Sequence, residues 1–314
     1  MSFPRAIASS AVLRWLLPLT LAVQILIVVT GGLVRLTGSG LGCSTWPQCE
    51  PGAFTPAFRP EDGIHTFIEF GNRVLGIVVG IVALAVVAAV LIYAAGAAKR
   101  RMWILAGLVL AGTLGQGVLG GITVWLSLHP GIVMAHFLIS MLLIGVSTLL
   151  LLTHRRVLPS SASLPRLVQG LGVLTGSVGA VVIVLGTIVT GSGPHSGDAD
   201  EPARFGLDPQ MMSWLHADSV MLFIGLVVAM VVATALLPDA IDARRPWVAV
   251  LAISLAQGVV GYVQYATGVP VPLVSLHMLG ACLLTAALTW GVAAVLGKQK
   301  ATVGQAFVQE PARV

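Results

Sequence analysis

Residues 131–153 read GIVMAHFLISMLLIGVSTLLLLT, a run without a single Asp, Glu, Lys or Arg. A helix needs ~20 consecutive apolar residues to cross the hydrocarbon core of a bilayer, so this run predicts a transmembrane helix. Seven other runs share this length and composition. With the first, they cover approximately 12–34, 70–96, 103–125, 131–153, 167–190, 211–237, 247–266 and 271–297. The sequence therefore predicts an all-α membrane protein with eight transmembrane helices.

The composition excludes an ordinary soluble domain. Of 314 residues, 57% are hydrophobic and 9% are charged, whereas soluble domains carry roughly a quarter charged residues. The net charge of +5 comes from basic residues that gather on one side of the predicted spans, which is the cytoplasmic side of a membrane protein. They are Arg5, Arg14, Lys99, Arg100, Arg101, Arg155, Arg156, Arg166, Arg244, Arg245, Lys298 and Lys300. We therefore expect a cytoplasmic-membrane protein with both termini inside, surrounded by lipid and without a nucleic-acid partner.

The chain repeats part of itself. The motif QGVLG at 116–120 returns as QGVVG at 257–261, and His136 and His277 are separated by the same 141 positions. Four spans return the chain to its starting side, so the two halves have the same orientation in the membrane. This is a parallel repeat, related by an axis along the membrane normal.

Three regions follow from the repeat. Residues 1–156 form an N-terminal four-helix half, which contains the first outer loop. Residues 157–300 form a C-terminal four-helix half. Residues 301–314 carry no motif, and we expect them to be a disordered cytoplasmic tail.

Three histidines lie in the outer third of predicted spans. His136 is in span four, His216 is in span six and His277 is in span eight. An ionisable residue inside a span indicates function by default. Imidazole is an axial ligand of haem iron, and two histidines on facing helices can clamp a haem from both sides. His216 and His277 thus form a natural pair for a low-spin b-type haem; a hydrogen bond across helices is the structural alternative.

Span two opens with polar residues. In IHTFIEFGNR, residues 64–73, His65 and Glu69 share one helix face, as do Glu69 and Asn72. A carboxylate at this membrane edge could act as a base, relay protons or stabilise positive charge. An ion pair between Glu69 and Arg73 is the structural interpretation, and the residues alone leave both open.

The first outer loop contains two of the three cysteines. Cys43 and Cys49 are separated by five residues on the side of the membrane that permits disulfides. We expect them to form a disulfide, either structural or redox-active. Cys282 lies within span eight and is expected to be a packed thiol.

Several motifs together resemble a known family. GGLVRLTGSGLGC at 31–43, WPQC at 46–49, IEFGNR at 68–73 and LHMLG at 276–280 resemble the bacterial haem A synthases. The resemblance covers all eight spans. It implies two tandem four-helix bundles related by pseudo-twofold symmetry. It also implies an oxidoreductase that converts the methyl group of haem O into the formyl group of haem A for cytochrome oxidase.

The resemblance also implies roles for individual residues. His216 and His277 would be the axial ligands of haem b, and His136 would bind the iron of the substrate, haem O. Glu69 would be the catalytic carboxylate. The cysteine pair of the first loop would match the loop cysteines that are thought to form a disulfide in the family.

One position departs from the family. Many members carry a histidine three residues after the glutamate, where this chain has Asn72. Either His65 supplies the second contact to the substrate haem, or His136 holds the iron alone and Asn72 lies near it.

The sequence also suggests partners and two competing functions. The haem O synthase that supplies the substrate is an expected partner, the electron donor is undefined, and a homo-oligomer is compatible with the sequence. A membrane b-type cytochrome for electron transfer explains His216 and His277 but gives Glu69 and the cysteines no role. A haem transporter without chemistry fits the repeat, but transporters usually have helices broken near the midplane.

Overall fold

The computed structural model describes residues 5–57, 63–96, 98–155, 164–198 and 203–296. The helices are α1 (Arg5–Leu36), α2 (His65–Tyr93), α3 (Lys99–Trp125), α4 (Pro130–Arg155), α5 (Arg166–Ser192), α6 (Pro209–Leu236), α7 (Ile241–Ala266) and α8 (Val271–Leu296), with a short 3₁₀ turn at Pro238–Ala240. Eight helices in the described part of the chain are long and apolar enough to cross a membrane. The predicted all-α membrane fold is therefore confirmed. The expected disorder of 301–314 concerns residues outside the described ranges.

Several helices begin earlier than the apolar runs indicated, α2 and α7 among them. Helix α2 begins at His65 rather than near residue 70, and α7 begins at Ile241 rather than 247. The first turns of both helices carry polar or charged residues, so a search for apolar runs excludes them. Helix α6 has an N-terminal signal in its sequence, because the carboxylate of Asp208 accepts the Met211 N–H and Pro209 occupies the first helical turn.

The helices pack as two rings that share an interface. Helix α1 contacts α2 and α4, and α3 contacts α2 and α4; α5 contacts α6 and α8, and α7 contacts α6 and α8. Helices α1 and α4 contact α8, and α4 also contacts α5. The division of the chain at residues 156 and 157 and the pseudo-twofold symmetry of the two bundles stay predictions.

Separate apolar clusters fill each ring and the interface between them. The first ring is packed around Leu17 and Val86, and the second around Phe223 and Trp247. A third cluster joins α1, α4 and α8, and it consists of Val28, Met141, Ile144 and Cys282. The Cys282 thiol is free and buried, as predicted. Large apolar side chains such as Ile81 face outward, which suits a protein surrounded by lipid.

The two ends of the bundle differ in character. One end carries the connections 37–64, 126–129, 193–208 and 267–270, and we call it the loop end. The opposite end carries the basic residues that begin or close helices, including Lys99, Arg101, Arg155 and Arg166. All the candidate site residues lie toward the loop end, as the next section describes.

Candidate functional site

The first loop is closed by a disulfide and buried against the helices. Cys43 and Cys49 are bonded, their Cα atoms are 4.5 Å apart, and both side chains are fully buried. The expected disulfide is therefore present. Its role, structural or redox-active, stays a prediction.

Glu69 and Arg73 of α2 fasten this loop. The Glu69 carboxylate accepts the Cys43 N–H at 2.7 Å through Oε2 and accepts both Nε and Nη2 of Arg73 through Oε1, at 3.1 and 2.6 Å. Arg73 Nη1 donates to the carbonyl oxygens of Thr45 and Gln48 at 2.8 and 3.1 Å. The ion pair expected as the structural alternative is thus present, and a catalytic role for Glu69 stays a prediction.

The loop lies directly on the ends of α2 and α3. A Cβ atom on Gly42 would stand 2.7 Å from the carbonyl oxygen of His65, so only glycine fits between the loop and the first turn of α2. The Trp46 indole covers Gly121 of α3 and meets Trp125 edge to face, with ring centroids 5.7 Å apart. The first loop therefore forms a close cover over the loop end of the first ring.

Four site positions lie at nearly the same depth. His136 and His277 each come six residues after the first residue of their helices, and Asn72 and His216 each come seven residues after. All four helices begin at the loop end, so these residues lie about 10 Å into the bundle at 1.5 Å per residue. Asn72 thus occupies in the first ring the depth that His216 occupies in the second.

The second ring holds two histidines against glycines. The His216 ring packs on Gly186 of α5, where an added Cβ would lie 3.2 Å from the ring Cε1. The His277 ring packs on Gly261 of α7, where the same distance would be 3.6 Å. Each of these two imidazoles therefore faces a glycine of the preceding helix.

The first ring repeats half of this arrangement. The His136 ring packs on Gly120, again at 3.6 Å for an added Cβ, as His277 does on Gly261. Gln116 donates to the His136 carbonyl oxygen at 2.7 Å, and Gln257 donates to the His277 carbonyl oxygen at 2.8 Å. The repeated QGVLG and QGVVG motifs therefore supply the same two contacts to an equivalent histidine. These contacts to the histidines were not predicted from the sequence, although the motifs and the histidines repeat with the same spacing.

Asn72 faces α1 within the first ring. Its Oδ1 accepts the Thr30 hydroxyl at 2.8 Å, and a Cβ on Gly31 would stand 3.6 Å from its amide nitrogen. A glycine of the first helix of the ring therefore faces Asn72, just as Gly186 faces His216. The two rings differ in the side chain and not in the space left for it.

The imidazoles of His136, His216 and His277 have the chemistry of axial haem ligands. Each of these side chains is half-buried, and each Nδ1 is buried without a hydrogen-bond partner among the described residues. A polar group left unpaired in an apolar interior is costly, so such rings are suited to take a ligand. Haem iron is held by imidazole nitrogen, and the facing glycines leave the rings room to orient.

His65 lies apart from this level. It is the first residue of α2, its side chain is exposed, and its Nδ1 is 2.8 Å from the Ser39 hydroxyl in the first loop. Seven residues separate it from Asn72, which is about 10 Å along a helix. The structure therefore associates His65 with the loop and Asn72 with the depth of the histidines.

A connection between the rings was missed by sequence reasoning. Arg35, in the last turn of α1, donates from Nη2 to the carbonyl oxygen of Thr190 on α5 at 2.9 Å, and Gly40 N–H donates to the Gly197 carbonyl oxygen at 2.9 Å. The motif TGSG occurs at 37–40 and again at 190–193, and this repeat was a usable signal. An arginine stands two residues before the first copy of the motif. The second copy has an isoleucine at the equivalent place, so the two halves differ here.

Three known proteins with the same name are similar to this chain. The chain is 35% identical over 141 residues to Heme A synthase of Geobacillus thermodenitrificans, covering 44% of this chain and 42% of that protein. It is 29% identical over 201 residues to Heme A synthase of Shewanella oneidensis, covering 57% and 56%. Heme A synthase of Geobacillus kaustophilus is 33% identical over 132 residues, covering 41% and 39%. The chain thus spans about half the length of these relatives.

A family match covers far more of the chain. The COX15-CtaA family, described as cytochrome oxidase assembly protein, matches residues 14–289, which include all eight candidate spans almost entirely and every site residue described above. This chain therefore belongs to the COX15-CtaA family of cytochrome oxidase assembly proteins.

Proposed function

We propose that this protein is a haem A synthase, an oxidoreductase that converts the methyl group of haem O into the formyl group of haem A. One observation carries the proposal: two rings of matched depth, one with a histidine pair and one with a single histidine and an asparagine. Two histidines suit a low-spin haem that transfers electrons, whereas an open coordination position suits the exchange of a substrate haem. The relatives named Heme A synthase support the same activity.

The second ring is proposed to hold haem b. His216 and His277 would be its axial ligands, because their rings lie at one depth, have a buried Nδ1 without a hydrogen-bond partner among the described residues and rest against glycines. When bound, this group supplies one-electron redox chemistry to the reaction. The protein orients both imidazoles through helix packing, and Gln257 fixes the backbone at His277.

The first ring is proposed to hold the substrate. His136 would contact the iron of haem O, and Asn72 would stand at the opposite position without acting as a strong ligand. The hydrogen bond between Asn72 and Thr30 supports this assignment, because it occupies the Asn72 Oδ1 atom within the protein. Of the two possibilities in the sequence, these contacts favour ligation by His136 alone over ligation by His65.

Glu69 is proposed to take part in the reaction from the loop end of the first ring. It lies one helical turn closer to the loop end than Asn72, is buried, and is fixed by Arg73 and the Cys43 N–H. A carboxylate held in this way can stabilise positive charge that develops on the substrate carbon or pass on a proton. The cover formed by the first loop limits the access of bulk water to this site.

The proposed setting is the cytoplasmic membrane, with the loop end outside and both termini in the cytoplasm. The basic residues at the opposite end of the helices support this orientation, since positive charge gathers on the cytoplasmic side. Haem O would be the substrate, and the haem O synthase is the natural supplier. The electron donor and a homo-oligomeric state are not assigned.

The test is expression of the chain in a host that makes haem O but no haem A, followed by chromatographic identification of the extracted haems. We expect haem A from the wild type, none from His136→Ala, and wild-type yield from His154→Ala, a control at the opposite end of the same helix. Haem B as the only bound haem, with no haem A formed, would instead support a membrane cytochrome.

A further inference from the structure

Arg35 is a half-buried cation with an unpartnered buried nitrogen. Its Nη2 donates to the Thr190 carbonyl oxygen, while its Nε is buried and has no hydrogen-bond partner among the described residues. The salt bridge between Arg73 and Glu69 does not include Arg35. Leaving a charged group's buried nitrogen without a partner is unfavourable, so this guanidinium is suited to an anionic ligand.

The other loop-end arginines within the described ranges do not share this state. Arg73 is paired with Glu69 and two loop carbonyl oxygens, and Arg204 is exposed. Favourable interaction of Arg35 with the C-terminal carbonyl groups of α1 is a structural alternative. That interaction requires no ligand, and the experiment below distinguishes it from ligand binding.

The position of Arg35 relates it to the second ring. Gly32, three residues earlier on the same face of α1, leaves no room for a Cβ against Met278, the neighbour of His277. Thr190, which accepts from Arg35, comes four residues after Gly186, the glycine that contacts the His216 ring. Both of these contacts place Arg35 about one helical turn, roughly 5 Å, closer to the loop end than the histidine pair.

The chemistry of a haem matches this placement. A haem has an apolar body and two propionate carboxylates on one edge, and charged groups are most stable toward the polar end of a membrane bundle. A guanidinium forms short, charge-assisted and often bidentate hydrogen bonds with a carboxylate. We propose that Arg35, from the first ring, binds a propionate of the haem held by His216 and His277 in the second ring. This inference rests on the proposed haem b site.

The test compares two porphyrins in the same protein. The full-length chain, purified without haem, is titrated with iron protoporphyrin IX and with its dimethyl ester, which lacks the carboxylates. We expect the wild type to bind the free acid more tightly by about tenfold or more, as for a charge-assisted hydrogen bond. In Arg35→Gln the preference should be lost, in Arg35→Lys partly kept, and in the control Arg204→Gln fully kept.

A second measurement does not depend on affinity. The midpoint potential of the bound low-spin haem should fall in Arg35→Gln, because removing a cation destabilises the more negative ferrous state, while Arg204→Gln should leave it unchanged. Loss of the low-spin spectrum in His216→Ala identifies the site that is measured.

Each outcome has a distinct meaning. Equal binding of the acid and the ester by the wild type would overturn the inference without any variant, so a folding defect in Arg35→Gln cannot hide the answer. An unchanged acid preference in that variant would do the same. A wild type that binds no haem would overturn the proposed function instead.

Discussion

Glu69 and Arg73 hold the first loop through different atoms. The carboxylate of Glu69 binds one backbone N–H of the loop, and the guanidinium of Arg73 binds two backbone carbonyl oxygens. Each residue also satisfies the charge of the other, so the loss of either leaves a charge unpaired at the loop interface. The pair therefore couples the first turns of α2 to the segment that contains the disulfide.

We predict that Glu69→Gln and Arg73→Gln both expose the disulfide. In a Cys282→Ser background, which leaves Cys43 and Cys49 as the only cysteines, the rate of reduction by a mild phosphine should rise severalfold in both variants. The reason is the loss of about 1–3 kcal/mol of loop anchoring. Mass shifts after alkylation measure the rate. Asp218→Asn, an exposed change of charge on α6, is the control. Rates equal to the control would refute the coupling.

His65 provides a second prediction at this scale. Its Nδ1 bonds Ser39 and its side chain is exposed, so we expect His65→Ala to leave the absorption spectrum of the bound substrate haem unchanged. The yield of haem A should stay within about twofold of wild type, since the change removes one partly buried hydrogen bond of the first loop, worth roughly 1 kcal/mol, and no ligand of the iron. A changed substrate-haem spectrum would show that His65 is a ligand after all.

At the scale of elements, glycines set the distance between a helix and a histidine ring. Gly186 and Gly261 do this in the second ring, and Gly120 does it in the first, where Gly31 faces Asn72 instead. The spacing is not uniform, because an added Cβ at 186 would be at 3.2 Å from the ring, whereas at 261 it would be at 3.6 Å. The first distance requires the ring to move, and the second is an ordinary contact.

This difference predicts unequal effects of one substitution. Gly186→Ala should tilt the His216 imidazole, shift the electron paramagnetic resonance signals of the low-spin haem and weaken its binding by about 1–2 kcal/mol. Gly261→Ala adds the same methyl group beside the partner histidine and should change neither property. Identical spectra for the two variants would contradict the role of the closer contact.

At the scale of the molecule, α8 joins the two rings. Its Cys282 packs with Val28, Met141 and Ile144, and the Thr285 hydroxyl lies 3.5 Å from the Met141 sulfur. This cluster lies deeper in the bundle than the histidines and is apolar. It therefore fixes the relative position of the two rings without taking part in the proposed chemistry.

Truncation of this cluster should loosen the whole molecule. Ile144 is fully buried, and Ile144→Ala should lower the stability of the detergent-solubilised protein by about 2–3 kcal/mol through the cavity it leaves. Ile139 lies on the same helix with 37% of its surface exposed, and Ile139→Ala should have a much smaller effect. Thermal unfolding followed by tryptophan fluorescence measures both. Equal losses would show that the interface is not a stabilising core.

The sequence predicts those features that depend on local composition. The eight spans follow from apolar runs, and the disulfide follows from two cysteines with five residues between them in the first loop. The start of α2 at His65 could not be found in this way, because the polar residues of its first turns are satisfied by the first loop. The partner of each buried polar group is a matter of tertiary packing.

The same distinction between local composition and tertiary packing applies to the candidate site. Its histidines were identified from their place in the spans, and the equivalence of Asn72 and His216 was approximate until the helix starts were known. Arg35 gave no signal alone, since an arginine at a helix end is usually solvated. Its partner is 155 residues away, which no local pattern encodes.

The hydrogen bonds that Arg35 and Gly40 make with the second ring also bear on the order of events during biogenesis. Arg35 and Gly40 find Thr190 and Gly197 only after α5 has entered the membrane. Because synthesis proceeds from the N-terminus, the first four helices are inserted while the end of α1 still lacks these contacts. We expect the cysteines of the first loop to be accessible to oxidising enzymes during this interval. The disulfide can therefore form early in biogenesis, whereas the first loop gains its contacts with the second ring only later.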